Sequence, residues 1–386
     1  MSEVDALEKK YKKAGKYIVS AGMLPFPITD TLVEILKFYL DEEDCDFISK
    51  TFRSKKSLSE EKMIKKSRLP KEDAIRIAEK LAKKGFIFNQ PSSKGIMVYR
   101  LLPLVVIGTF EYTFMQDNPV GFSDSELKEL ALLYDKLIEE LRDNVQAGYE
   151  NILPIFQRQR PTDRTIAIAE TESGAEITIE INESIEAEEK VLPAQDVAEI
   201  IKKFDDIAVG NCFCRNYHKT LGEPCQIDAP MEVCFTFGKS ARHTVQQGFA
   251  RKIDKDEALE ILKQSEEAGL VHKAFHNGSD INRDENSICN CCKCCCDTFN
   301  FWKMGATPMV NSTNFLSKID GAACIGCGTC VERCPTDAIS LNEENKAERV
   351  EDYCIGCGIC AHFCPENAIS LIEGMRKVFV PPPRIR

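Results

Sequence analysis

Beginning at Thr31, apolar side chains at Leu32, Ile35, Leu36 and Tyr39 fall at i, i+3, i+4 and i+7, the signature of one buried helical face. Thr31 and Glu34 stand three apart at its start and read as a capping box. A Lys-rich lead-in, residues 1–20, precedes this stripe and is compatible with a helix. A shorter helix is expected from an N-cap at Ser59 to Lys66. A third begins at Lys71-Glu72-Asp73, keeps Ile75, Ala78, Leu81 and Ala82 on one face, and stops at Gly85. Two strand-like runs follow, Phe86–Phe88 and Ile96–Leu102, joined by the turn-forming stretch Asn89 to Gly95. Three helices and a hairpin predict a winged-helix-like domain over residues 1–115.

Ser123 to Asn144 reads as one long amphipathic helix, capped by Ser123 with Glu126 and striped by Leu127, Leu130, Leu133, Leu137, Ile138 and Leu141. It makes residues 116–160 a connector or a dimerisation surface, so a homo-oligomer is allowed. Arg158-Gln159-Arg160-Pro161 breaks the pattern. Strands are expected at Thr165–Ala169 and Glu176–Ile181, then an acidic stretch ending at Lys190 and a helix from Ala194 to Phe204. Asp254 and Glu257 cap a further helix carrying Ala258, Leu259, Ile261, Leu262 and Ser265, which Gly269 ends. The whole is an α+β multidomain chain.

Nineteen cysteines change that picture. Cys324, Cys327, Cys330 and Cys334 read C-x2-C-x2-C-x3-C, closed by Pro335, and Cys354, Cys357, Cys360 and Cys364 repeat the run, closed by Pro365. The repeat continues to A-I-S-L in both copies. Thiolate is the soft ligand that iron–sulfur clusters take, four to a cubane. A zinc site uses two pairs and calls for neither a third cysteine nor a Cys-Pro. Residues from about Ile319 to Glu373 resemble a bacterial-type ferredoxin with two [4Fe–4S] clusters. In that family the fourth cysteine of each run serves the other cluster. The resemblance therefore implies cluster I on Cys324, Cys327, Cys330 and Cys364, and cluster II on Cys354, Cys357, Cys360 and Cys334. Gly326, Gly328, Gly356 and Gly358 suit loops whose backbone N–H groups approach sulfur. The expected ferredoxin-like dicluster domain spans residues 311–377, with 378–386 a tail.

Ten more cysteines fall in the region 161–310, a cysteine-rich middle domain. Four are spread, Cys212, Cys214, Cys225 and Cys234; six are crowded as Cys289, Cys291, Cys292, Cys294, Cys295 and Cys296. The spread four count as one cluster, with Arg215 and His218 nearby to tune it. The crowded six supply a second set whose members spacing does not choose: Cys289, Cys292 and Cys295 share one interval, Cys291 and Cys294 another. Two further cubanes, one cubane with an unusual cluster or a zinc site, or one metal site with spare thiols all fit the count. Cys45, alone near the N-terminus, reads as an inert buried thiol. In overall order the chain resembles multidomain iron–sulfur proteins of anaerobes with a winged-helix-like front.

Charge and the missing motifs narrow the function. The chain carries a formal charge of −11, yet residues 1–120 hold 21 Lys and Arg against 17 Asp and Glu, so the acid lies behind the front. An acidic ferredoxin end suits basic redox partner proteins. Lys71, Arg76, Lys80, Lys83, Lys84 and Lys94 open a DNA-binding reading of the winged helix, but Glu72, Asp73 and Glu79 interrupt them and favour protein contact or packing. No phosphate loop is present, since Gly238-Lys239-Ser240 lacks the upstream glycine, and no G-x-G-x-x-G supports a bound dinucleotide. His272 and His276 stand four apart, but beyond Gly269, which points to the surface rather than to a metal on a helix. His362, inside the second cysteine run, is placed to modulate potential. The N-terminus has no signal-peptide pattern and no apolar run is long enough to span a bilayer, so a cytoplasmic protein is expected. The expectation is an electron carrier relaying low-potential electrons. The alternatives are a redox-responsive DNA-binding regulator and a redox enzyme with a substrate-binding middle cluster.

Overall fold

Thr29, not Thr31, caps the first expected helix: its side chain accepts from Leu32 N, while Thr31 Oγ1 donates to Glu140 Oε1. A computed structural model describes residues 3–161, 163–180, 196–276 and 283–385 and divides the chain into two units. The first comprises Met1–Asn144, Asn216–Glu223 and Arg242–Arg251. It contains α1 (Glu3–Val19), α2 (Asp30–Tyr39), α3 (Glu42–Thr51), α4 (Glu60–Ser67), α5 (Lys71–Lys83), α6 (Thr109–Phe114) and most of α7 (Asp124–Ala147). Helix α3 has no counterpart in the expected pattern. Its charged sequence hides a capping box between Asp41 and Asp44 and a buried face of Cys45, Phe47 and Ile48. Strands β1 (Ser57–Ser59), β2 (Ile87–Pro91) and β3 (Met97–Leu101) form an antiparallel sheet in the order β1-β3-β2. Asn89 and Gln90, expected in the turn, are buried strand residues.

The cations of α5 are engaged within this unit. Arg76 pairs with Glu43, Lys80 with Asp41 and Asp44, and Lys84 with Asp44, which is fully buried. The acids of α3 thus spend much of the positive charge that a nucleic-acid surface needs.

The second unit comprises Val145–Arg215, Pro224–Ala241 and Lys252–Arg386. After α8 (Tyr149–Gln157) come β4 (Asp163–Ile166), β5 (Ile179–Glu180), α9 (Val197–Lys203), β6 (Ile207–Asn211), β7 (Glu232–Phe237), β8 (Arg251–Ile253) and α12 (Lys255–Glu267); α10 (Phe213–Leu221) and α11 (Lys239–Gln247) begin in this unit and belong to the first from Asn216 and Arg242 onward. They are followed by β9 (Val271–His276), β10 (Glu285–Cys291), α13 (Asp297–Lys303), β11 (Met309–Ile319), α14 (Thr329–Arg333), β12 (Ile339–Leu341), β13 (Ala347–Arg349), α15 (Ile359–His362) and β14 (Ile369–Val380). Nine strands make one sheet in the order β5-β14-β11-β4-β9-β10-β7-β6-β8. The long ferredoxin-end strands β11 and β14 pair along their whole length, and β11 continues into the sheet by a parallel pairing with β4. A boundary at residue 310 would cut this sheet inside β11, so the middle and ferredoxin-end regions are one unit. The acidic stretch ending at Lys190 lies outside the described residues.

Strand alternation sorts the core of this unit onto two faces. Val233, Phe235, Phe237, Ala274 and Ile288 face one core with Val209, Ile200 and Leu262. Val271 and Cys291, paired across β9 and β10, face another core with Phe299, Trp302 and Val378. Among the described residues, no helix is long and apolar enough to cross a membrane.

Candidate metal centres

The two C-terminal cysteine runs wrap two cavities. One is lined by Cys324, Cys327, Cys330 and Cys364, the other by Cys334, Cys354, Cys357 and Cys360. Each run thus contributes three thiols to one cavity and its Cys-Pro thiol to the other. Gly326 and Gly356 occupy equivalent places with positive φ, 73° and 63°. A Cβ there would collide with the carbonyl of Asn345 in one loop and of Phe315 in the other, so only glycine lets these loops close around a cavity. The fourth thiol of each run is held alike: Ala338 N donates to Cys334 Sγ at 3.2 Å and Ala368 N to Cys364 Sγ at 3.3 Å. Four thiols, a close-approaching backbone and N–H groups aimed at sulfur fit a cubane in each cavity.

The cavities differ in exposure. Cys327 is exposed, beside Ile325 at 60% exposure, and the Thr329 hydroxyl holds its pKa below the usual thiol value. Cys354, Cys357 and Cys360 are buried, and burial pushes Cys357 and Cys360 well up as free thiols. The first cavity thus has an exposed thiol in its lining, whereas all four thiols of the second are buried.

The ten middle cysteines separate differently from their spacing. Cys225, Cys292, Cys294 and Cys295 place their sulfurs all within 4.8 Å of one another. The Cys225–Cys294 and Cys294–Cys295 separations are 3.6 Å and Cys225–Cys292 is 3.9 Å. The other six form a string of neighbouring thiols, each acting on the next, that runs Cys212, Cys214, Cys296, Cys291, Cys289 and Cys234. The expected quartet Cys212, Cys214, Cys225 and Cys234 is therefore not a unit: Cys225 joins the crowded run and the other three join its remaining members. The cause is strand alternation. Cys234 on β7 and Cys289 and Cys291 on β10 point away from the Phe235 and Ile288 core, whereas Cys292 and Cys295 belong to it.

Buried cations border both thiol groups. Lys273, opposite Cys289 across the strand pair, bonds Asp163 at 3.0 Å. Burial opposes its charge, but Asp163 and then Cys296 and Cys291 outweigh that and keep the ammonium protonated. Arg215 is wholly buried and donates to Asn290 O at 3.3 Å. Burial opposes this charge too, and Cys212 and Cys292, with Cys225, raise its pKa despite it. In the sequence Arg215 stands out only as a neighbour of the spread cysteines. Lys273 and Asp163 went unseen, although a lysine within the strand pattern of Val271 to His276 was the available signal.

The histidines also differ from expectation. His272 and His276 lie in β9, not at the surface, and both are buried. His272 Nδ1 is 2.6 Å from Asn290 Oδ1, and His276 Nδ1 is 2.7 Å from Arg283 O. They share the strand face opposite Lys273 and brace the sheet beneath the thiols. His362 is buried with Nδ1 2.5 Å from Glu170 O, and Cys45 is buried with its thiol pushed up to about 12 by burial.

Neither curated proteins nor solved structures yield a match to this chain. One family does match, over residues 317–371, which contain all eight cavity-lining cysteines. The C-terminal part of the chain is thus a 4Fe-4S dicluster domain, built into the same sheet as the cysteine-rich middle region.

Proposed function

We propose that this chain is an iron–sulfur electron-transfer protein in which three thiol-lined sites form a path from solvent into the second unit. Cys324, Cys327, Cys330 and Cys364 would hold the outer cluster, Cys354, Cys357, Cys360 and Cys334 the inner one. The six thiols of Cys212, Cys214, Cys234, Cys289, Cys291 and Cys296 would hold a third redox centre. The observation that carries this reading is one apolar core shared by Cys357, Cys291 and Cys296, filled by Phe299, Trp302, Ile355 and Ile359. Ile168 N also donates to Cys357 O at 3.1 Å, which joins the inner loop to the segment leaving β4.

Bound [4Fe–4S] clusters supply one-electron steps at low potential. The protein's part is geometric and electrostatic. Cys327 and Ile325 offer the outer approach, and the exposed Glu366 on that cavity's lining suits a basic partner. Phe299 and Trp302 keep water from the inner passage, and Lys273 offsets thiolate charge at its far end. Six thiols exceed the four of a cubane, so this end accommodates a larger cluster or leaves two thiols spare. The ion pairs of α5 with α3 weigh against the alternative of a DNA-binding regulator.

Iron and acid-labile sulfide per chain, with reduced-state electron paramagnetic resonance on anaerobically purified protein, test the path. Substantially more than about eight iron and eight sulfide is expected, with the excess lost in Cys291→Ser. Eight of each in the native chain would confine redox chemistry to the dicluster domain and end the three-site reading.

A further inference from the structure

We infer that Cys225, Cys292, Cys294 and Cys295 form a mononuclear tetrathiolate centre, one zinc-class ion held by four sulfurs with no bridging sulfide. The separations carry it. A zinc–thiolate bond of about 2.3 Å sets tetrahedral sulfurs about 3.8 Å apart. The observed 3.6, 3.6 and 3.9 Å bracket that value, and all four sulfurs fall within 4.8 Å. A cubane interposes four irons and four sulfides and spreads its thiolates well beyond the reach of one ion. The dicluster domain supplies the internal contrast: its quartets stand around cavities, and among the described residues no other group of cysteines, histidines or acids draws this tight.

The surroundings fit the same ion. Four thiolates and a divalent ion sum to a net charge of −2, and Arg215 brings a permanent positive charge to their edge. Nε and Nη2 of this wholly buried guanidinium have no hydrogen-bond partner, and the groups that act on it most strongly are Cys212, Cys292 and Cys225. Beside neutral thiols such a charge would be uncompensated; beside a metal thiolate it is paired. The loop is also set in advance. Lys293, between two of the ligands, donates to Glu332 O at 2.9 Å and pairs with Asp337 at 3.1 Å, while Asn300 donates to Cys294 O at 3.2 Å. Cys225 and Cys294 are partly exposed, which gives an ion an entry route.

The inference is separate from the electron path, because sulfide reads that path and a sulfide-free ion reads this site. The test is zinc, iron and sulfide content of the full chain and of Cys225→Ser, purified anaerobically. The expected result is about one zinc per chain, lost in the variant with sulfide unchanged. One iron lost without sulfide also upholds a mononuclear site and identifies the ion as iron. Loss of four iron with four sulfide, or loss of no metal, overturns the proposal. Should the variant fail to fold, X-ray absorption on the native chain decides: four sulfurs at about 2.3 Å from the ion support it, and nitrogen or oxygen ligands or a short metal–metal vector overturn it.

Discussion

At the dicluster end, four thiols stand back around each cavity; at Cys225, four thiols close to within 4.8 Å of one another. The ligand atom is the same in both regions, so the backbone makes the difference. Gly326 and Gly356 let their loops pack against a carbonyl that any side chain would strike, and so wrap around a cavity. The Cys292 to Cys295 loop has no glycine and folds its sulfurs inward, tied by Lys293 and Asn300. On the proposed assignments, nuclearity would follow from loop geometry rather than from the number of cysteines.

The sharpest break of that comparison comes from Cys357→Ser. It should cost about four iron and four sulfide while leaving any zinc in place, as metal analysis would read. A simultaneous loss of zinc would mean that the two regions are not independent sites. Lys273→Met comes next. Removing the ammonium takes a buried counter-charge from Asp163, both groups being about 4% exposed, and should cost about 3–5 kcal/mol in denaturant unfolding. A cost near zero would mean that the thiols, not Asp163, set the charge balance there. Arg215→Met should weaken metal retention at the Cys225 site about 10- to 100-fold, measured by chelator competition, with the dicluster spectrum intact.

The first unit, where the one cysteine is the buried Cys45, supplies a contrast that leaves metal content alone. His243 lies within 3.2 Å of Asn89 Oδ1, and burial, then Arg100, lowers its pKa to about 3. The unfolded chain therefore takes up a proton below pH 6.5 that the folded one refuses. Stability contributed by the neutral ring is full above that value and falls by up to about 1.4 kcal/mol per pH unit until the folded pKa is reached. His243→Gln should flatten that slope in acid-unfolding curves without altering metal content.

How legible these regions were follows from how local their information is. The eight C-terminal cysteines declare themselves because each three-thiol run and its Cys-Pro lie within twelve residues, and the copy thirty residues on repeats them. The middle ten do not, since their grouping depends on which face of β7 and β10 each occupies and on bringing Cys225 across to Cys292. The equal intervals of Cys289, Cys292 and Cys295 and of Cys291 and Cys294 choose no set, because the strand ends at Cys291 and the chain turns, sending Cys292 to the other core. Helix α3 was hidden by its acids, which look like a loop until Asp41 and Asp44 are seen to cap each other. His272 and His276 followed a helix-ending glycine and looked exposed, whereas the chain re-enters the sheet at once.

The parallel pairing of β4 with β11, Arg164 beside Ser312, joins residues nearly 150 positions apart. Closing a loop of that length costs entropy before any contact repays it, so the part of the sheet that carries β11 and its partner β14 is non-local and slow to form. The inner cavity takes Cys334 from one run and Cys354 from the next, while the core behind it takes Cys291, Val378 and Val380. Loading of the inner site would consequently wait until this non-local sheet has closed, and a variant cut before Ile369 would meet the cell's iron–sulfur assembly machinery without a completed site to load.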